Sequence, residues 1–193
     1  MQTHPQLHRH HARRPGAAGA GTGVSHTLGL LRHAKSDWET GRADIDRPLN
    51  QRGNRDAPRI GRWLRTRETW RPQLILSSTA VRARQTIAAV IEQAGLEDVE
   101  LRWEDGLYLA SRRALLERIR ALPVACSSVM LVGHNPGLEE LLEYLSRTPV
   151  PTTDSGKVFT TANLALLRLG SEWKNADRGT AELVELVRPR DLE

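Results

Sequence analysis

At 193 residues, 39% of them hydrophobic and 26% charged, the chain is long enough for one domain with a real core and too short for two comfortable ones. No apolar stretch approaches the roughly 20 residues needed to cross a bilayer, which argues against a membrane role. The net charge is +5 and the pI about 10.1, yet Arg9, Arg13 and Arg14 in an acid-free tail supply three of the five excess charges. The body is left at about +2, a mixed surface, and without zinc-finger spacing or an aromatic sheet motif it gives no specific nucleic-acid reading. A single cysteine, Cys126, excludes an internal disulfide and suits a reducing, cytoplasmic setting.

Residues 1–25 read as a disordered basic extension, rich in His, Arg, Gly and Ala, with no apolar core for a secretory signal. From residue 26 to 193 one domain is expected. Thr27 to Leu31 is strand-like, and Asn50 to about Arg65 reads as a helix, with Gly53 and Pro58 weakening its start. Leu74 to Leu76 forms a second short strand. Ala80 to Gln93 is the clearest helix, closed by Gly95. Val99 to Trp103 alternates as an edge or half-buried strand would. Ser111 caps a helix over Arg112 to Leu122 that stops at Pro123. Ser128 to Val132 is a strand, Gly137 to Ser146 a helix, and Leu164 to Leu169 and Leu183 to Val187 finish as strands. Strand and helix in alternation predict an α/β protein whose largely parallel sheet is covered on both faces.

Ligand chemistry in such sheets gathers just beyond the carboxyl ends of the strands. Five of the seven histidines fall in the first 26 residues and are read with the tail; the other two, His33 and His134, read as the only imidazoles in the body, each follow a short apolar run and open a polar turn. Arg32 stands directly before His33. After the second strand, Ser77-Ser78-Thr79 leads into a helix start carrying Arg82 and Arg84, a setting suited to a phosphate. Arg84 is expected on a solvated helix face. After the later strand comes Gly133-His134-Asn135-Pro136-Gly137. Two imidazoles and two arginines at strand ends are what phosphoryl transfer to a histidine needs. His33 would be the nucleophile, kept neutral by the neighbouring guanidiniums, while Arg32, Arg82 and His134 bind the oxygens of the transferring group.

These stretches resemble the histidine phosphatase superfamily (phosphoglycerate mutase-like), and within it the SixA-type phosphohistidine phosphatases. Leu30-Leu31-Arg32-His33-Ala34-Lys35-Ser36 is similar to the Arg-His motif, and Ser77 to Ala83 with Thr86 to the second-arginine motif. Val132 to Pro136 is similar to the second-histidine motif. Asp46-Arg47-Pro48-Leu49 with Gly53 matches the connection found in the SixA-type branch. The resemblance spans about residues 27–187. It implies a three-layer α/β/α sandwich with a mostly parallel central sheet, a histidine phosphatase domain over 26–193, and catalysis without cofactor or metal. It also implies His33 as the phosphorylated residue, with Arg32, Arg82 and His134 as the phosphate pocket.

Two departures stand out. Ala34 replaces the glycine common elsewhere in the superfamily. The general acid is not placed: Glu104 and Asp105 are candidates, with a solvated turn after a strand as the alternative, and Asp44 and Asp46 are others. Lys35 is either a substrate contact or a loop lysine, and the five tryptophans read as packing residues. The function expected is a metal-independent phosphatase acting on a phosphorylated protein, in particular protein phosphohistidine. The alternatives are a phosphatase of small phosphorylated metabolites and a phosphate-binding scaffold.

Overall fold

The computed structural model describes residues 25–67 and 69–192; the expectation for the 1–25 extension lies, apart from Ser25, outside the described residues. Six strands form one sheet: β1 (His26–Arg32), β2 (Leu74–Ser78), β3 (Glu100–Glu104), β4 (Ser128–Gly133), β5 (Leu164–Leu169) and β6 (Ala181–Val187). Their order is β3-β2-β4-β1-β5-β6. The first four run parallel, β5 lies antiparallel to β1, and β6 antiparallel to β5. Four helices connect them: α1 (Gln51–Arg65), α2 (Val81–Ala94), α3 (Arg112–Arg120) and α4 (Gly137–Leu145).

Alternation along the central strands assigns each residue to one of two cores. Leu28 and Leu30 of β1, with Val129 and Leu131 of β4, pack under α3 and α4 beside Leu115, Ile119, Leu138 and Leu142. Leu31, Met130 and Val132 point the other way, onto Ile60 and Leu64 of α1 and Ile87 and Val90 of α2. A strand clothed on both sides has no polar face, which is why these runs read as continuous hydrophobics. Gly29 fits the same logic: an added Cβ would come within 2.7 Å of the Trp70 ring, so the glycine is where that indole sits against the sheet. The result is the expected three-layer α/β/α arrangement.

Two helices are capped by side chains, Ser111 as expected and Asn50 from just outside the helix it was read to begin. Asn50 accepts a hydrogen bond from Gly53 N at 2.9 Å, and Ser111 from Ala114 N at 3.3 Å. Gly95 closes α2 in the left-handed region at φ 67°. Pro58 does not break α1, which runs through it, and α3 ends at Arg120, short of the expected Leu122. β3 is an edge strand, as its alternation suggested.

One expectation is corrected. His33 and His134 are not the only imidazoles in the body, because His26 opens β1, is fully buried and packs edge-on against Trp173 at 4.8 Å. It sits at the amino end of β1, opposite the end that carries His33. Among the described residues no helix is long and apolar enough to cross a membrane.

Candidate active site

The strand order sets the site. β2, β4 and β1 are consecutive neighbours, so three segments far apart in the chain end side by side at about 4.8 Å spacing. Arg32 and His33 leave β1, Ser78 ends β2 just before Arg82 enters the first turn of α2, and His134 leaves β4. Between them lies a cleft of about 230 Å³ lined by Arg32, His33, Lys35, Ser36, Trp38, Asp44, Arg47, Arg82, Leu109, His134, Asn135 and Thr161. All four predicted site residues line it.

Arg82 is the hub. Its guanidinium is 2% exposed; Nε lies 3.4 Å from His33 Nε2, and Nη2 lies 3.3 Å from His134 Nδ1 and 2.9 Å from Asp44 Oδ2. The two imidazole rings stand 5.0 Å apart. Each ring is oriented by its other nitrogen. His33 Nδ1 lies 2.7 Å from the Ala34 carbonyl, which only accepts, so Nδ1 carries the proton and the Nε2 lone pair faces the cleft. His134 Nε2 lies 2.8 Å from Ser78 Oγ. Because Arg82 only donates, His134 Nδ1 is its acceptor and Nε2 donates to the serine.

Electrostatics keep both rings neutral. Burial, foremost, with the unfavourable prospect of a second cationic ring beside His134 and the charges of Arg82 and Arg32, pulls the His33 pKa down to about 3 against an opposing lift from the Ala34 carbonyl. Burial and then Arg82 bring His134 to about 4. Sequence reasoning named the arginines as the cause; the structure adds burial as the larger one. Arg32 directs Nη1 to the Phe159 carbonyl at 2.7 Å, while its buried Nε has no protein partner. A buried donor without an acceptor is costly unless something completes it.

Residues 28–108 match the profile of the histidine phosphatase superfamily (branch 1). An uncharacterized Mycobacterium tuberculosis protein is 35% identical over 164 residues, covering 83% of this chain and all of the relative. The structure of a candidate SixA phosphohistidine phosphatase from Agrobacterium tumefaciens aligns at 34% identity with a TM-score of 0.68, covering 85% of this chain and 98% of the other. A second such protein, from Nakamurella multipartitia, aligns at 30% identity and TM-score 0.72, covering 86% and 96%. The chain belongs to the histidine phosphatase superfamily. Within it the protein falls in the SixA-type branch, and it is a phosphatase.

The phosphatase disposes of its four acid candidates differently. Glu104 is bound at both oxygens by Arg118, at 2.6 to 3.1 Å, and Asp105 accepts from Thr79 at 2.7 Å; neither lines the cleft. Asp46 is exposed and also outside it. Asp44 alone reaches the cleft. There it accepts from Tyr108 at 2.7 Å, from Arg47 at 2.7 and 3.1 Å, and from Arg82, and these partners, the tyrosine first, hold its carboxyl well below the usual range. A carboxylate so held is an anion near neutral pH.

Several supporting residues carry no motif that sequence reasoning turned into a role. Arg47, 6% exposed, donates to Ser36 Oγ at 2.6 Å and lies 3.7 Å over the Trp38 ring, adding a third arginine to the cleft. Its place beside Pro48-Leu49 in the SixA-like connection was the available signal. Thr86, one helical turn after Arg82, accepts from Ala34 N at 2.9 Å and donates to Arg82 O at 2.6 Å, tying the two motifs together. Gly53 explains the spacing of that connection, because an added Cβ would lie 2.2 Å from the Lys35 carbonyl, which accepts Asn50 N at 3.0 Å. Ala162 braces the floor in the left-handed region at φ 59°, its N–H shared by the Arg32 and His33 carbonyls at 3.1 and 3.2 Å.

Lys35 lines the cleft. Arg84 is exposed over Trp103, as a solvated helix face requires. Trp70 and Trp173 are core residues, whereas Trp38 is 70% exposed under Arg47.

Proposed function

We propose that this phosphatase works through a covalent phosphohistidine on His33, with Arg32, Arg82 and His134 holding the phosphoryl oxygens, within a domain spanning residues 26–193. The observation that carries the reading is the disposition of His33: Nδ1 is committed to the Ala34 carbonyl, and Nε2 turns an unprotonated lone pair into the cleft beside Arg82. In the first step Nε2 attacks phosphorus, the bond to the leaving group breaks, and the leaving group takes the electron pair. The guanidiniums offset the charge gathering on the equatorial oxygens. The ring becomes cationic, and the Ala34 carbonyl stabilises it through Nδ1–H. Water then attacks phosphorus, its proton leaves to solvent, and the P–Nε2 bond returns its pair to the ring as phosphate departs.

His134 changes role when the anion arrives. Unliganded, its Nδ1 accepts from Arg82; a phosphoryl dianion in the cleft supplies opposite charge and raises the ring's proton affinity. A proton taken up at Nδ1 then donates to a phosphoryl oxygen.

The substrate class follows from the acid. Among the described residues Asp44 is the carboxyl group that lines the cleft, and it is held as an anion. An alkoxide leaving group needs a positioned proton, whereas the imidazole of a phosphohistidine takes one from solvent near its ordinary pKa of about 6.5. Among phosphorylated proteins and small phosphorylated metabolites, that favours protein phosphohistidine. Turnover of a phosphohistidine protein and of an alkyl phosphate panel, both in excess chelator, tests it. The expected result is a kcat/KM preference of at least about a hundredfold for the phosphoramidate, abolished in His33→Ala; equal turnover of alkyl phosphates contradicts the preference.

A further inference from the structure

Beside the catalytic cleft lies a second and larger cavity, of about 410 Å³ against about 230 Å³. Arg32, Lys35 and Thr161 line both, so the two spaces adjoin across these side chains. The second is strongly basic: Arg32, Lys35, Arg52, Lys157 and Arg190 line it, and among the described residues no acidic one does. Arg52 already reaches Asp56 at 3.1 Å and Arg190 reaches Asp191 at 3.3 Å, whereas among the described residues Lys35 and Lys157 form no ion pair. The far wall is preorganised. Thr153 N–H donates to the Lys157 carbonyl at 2.8 Å, Lys157 N–H donates to Thr153 Oγ1 at 3.0 Å, Gly156 turns at φ 75°, and Thr153 Oγ1 lies 3.0 Å from Ser155 Oγ. These cations and hydroxyls form a donor set suited to a phosphate-like oxyanion.

We propose that this cavity is a specificity subsite for a second anionic group on the substrate whose phosphoryl group enters the catalytic cleft. The inference rests on the phosphatase reading above and deepens it: the preferred substrate is at least doubly anionic, with its second charge one cavity away from the reacting phosphorus. Catalytic arginines alone would attract any phosphate. A second basic chamber adjoining the first rewards only molecules long enough to occupy both. Its shared border makes Lys35 and Arg32 the residues that sense both charges. The second anion has two sources, another phosphate on a small molecule or an acidic side chain flanking the phosphohistidine of a protein.

The test uses the full chain and the double variant Lys157→Ala/Arg190→Ala, whose side chains line the second cavity alone. With p-nitrophenyl phosphate as reporter, competition by inorganic phosphate is compared with competition by fructose 1,6-bisphosphate. A parallel arm compares kcat/KM for two phosphohistidine peptides that differ by one flanking Glu or Gln. The expected result is at least a tenfold advantage for the bisphosphate, for the Glu peptide, or for both, falling below threefold in the variant. The KM and kcat for p-nitrophenyl phosphate should change less than twofold. A bisphosphate advantage identifies a small molecule as the source, and a Glu advantage an acidic protein segment. No advantage in either arm, or one that survives in the variant, overturns the subsite. Should the wild type hydrolyse nothing, the catalytic reading fails instead, and calorimetric binding of bisphosphate against inorganic phosphate still decides the cavity.

Discussion

The carboxyl ends of β1, β4 and β2 and that of β3, one strand further along, face the same side of the sheet but are put to different uses. At the first three, His33, His134 and Arg82 sit within 3.4 Å contacts around a buried guanidinium. At the fourth, Glu104 and Asp105 end in pairs with Arg118 and Thr79 and stay out of the cleft. One strand spacing, about 4.8 Å, separates side chains that share a phosphate-sized space from side chains that only stabilise the rim. Position in the strand order, more than residue type, decides which polar groups do chemistry.

The sharpest way to break this contrast is to remove the centre. His33→Ala is expected to lower kcat by at least about a thousandfold, since it removes the proposed nucleophile, as read by steady-state hydrolysis of a phosphohistidine substrate. Arg82→Ala should cost about a hundredfold or more, mostly in kcat, and Arg82→Lys should recover only part because a point charge replaces a fork. Asp44→Asn acts in the opposite sense. It removes the internal anion that occupies Arg82 and Arg47, so inorganic phosphate should inhibit several-fold more tightly, by competition kinetics. At the rim, Glu104→Gln and Asp105→Asn should each change kcat less than about twofold. A hundredfold loss at either would move the general acid to β3 and collapse the contrast.

Acidity provides an independent handle. His33 and His134 are neutral in the fold, with pKa values lowered to about 3 and about 4. Below the unfolded value near 6.5 the unfolded chain binds protons that the unliganded fold refuses, so stability must fall as pH drops from about 6.5 toward 4. Each ring contributes up to about 1.4 kcal/mol per pH unit in that window. Thermal unfolding of His134→Asn, which cannot titrate, should show a shallower loss than the wild type over the same range.

Much of this was legible in the sequence because the responsible signals are local. Short apolar runs marked β1, β2 and β4, Ser111 marked a cap, and the polar turns after the runs marked His33 and His134. What escaped was non-local or masked by composition. His26 was absorbed into a histidine-rich tail although it begins β1 inside the core. Arg47, Ser78 and Tyr108 each bond a site residue 11 to 64 positions away in the chain, a convergence that no periodicity reports. The ambiguity of the four acids had the same origin, since choosing among them required the strand order.

Mass spectrometry of the acid-sensitive adduct, after rapid mixing with a small phosphodonor and an alkaline quench, tests the central claim most directly. The expected result is one phosphoryl group on His33, absent in His33→Ala and built up when hydrolysis is slowed. Label on His134, on a serine or on Cys126, or none under conditions of turnover, would contradict it.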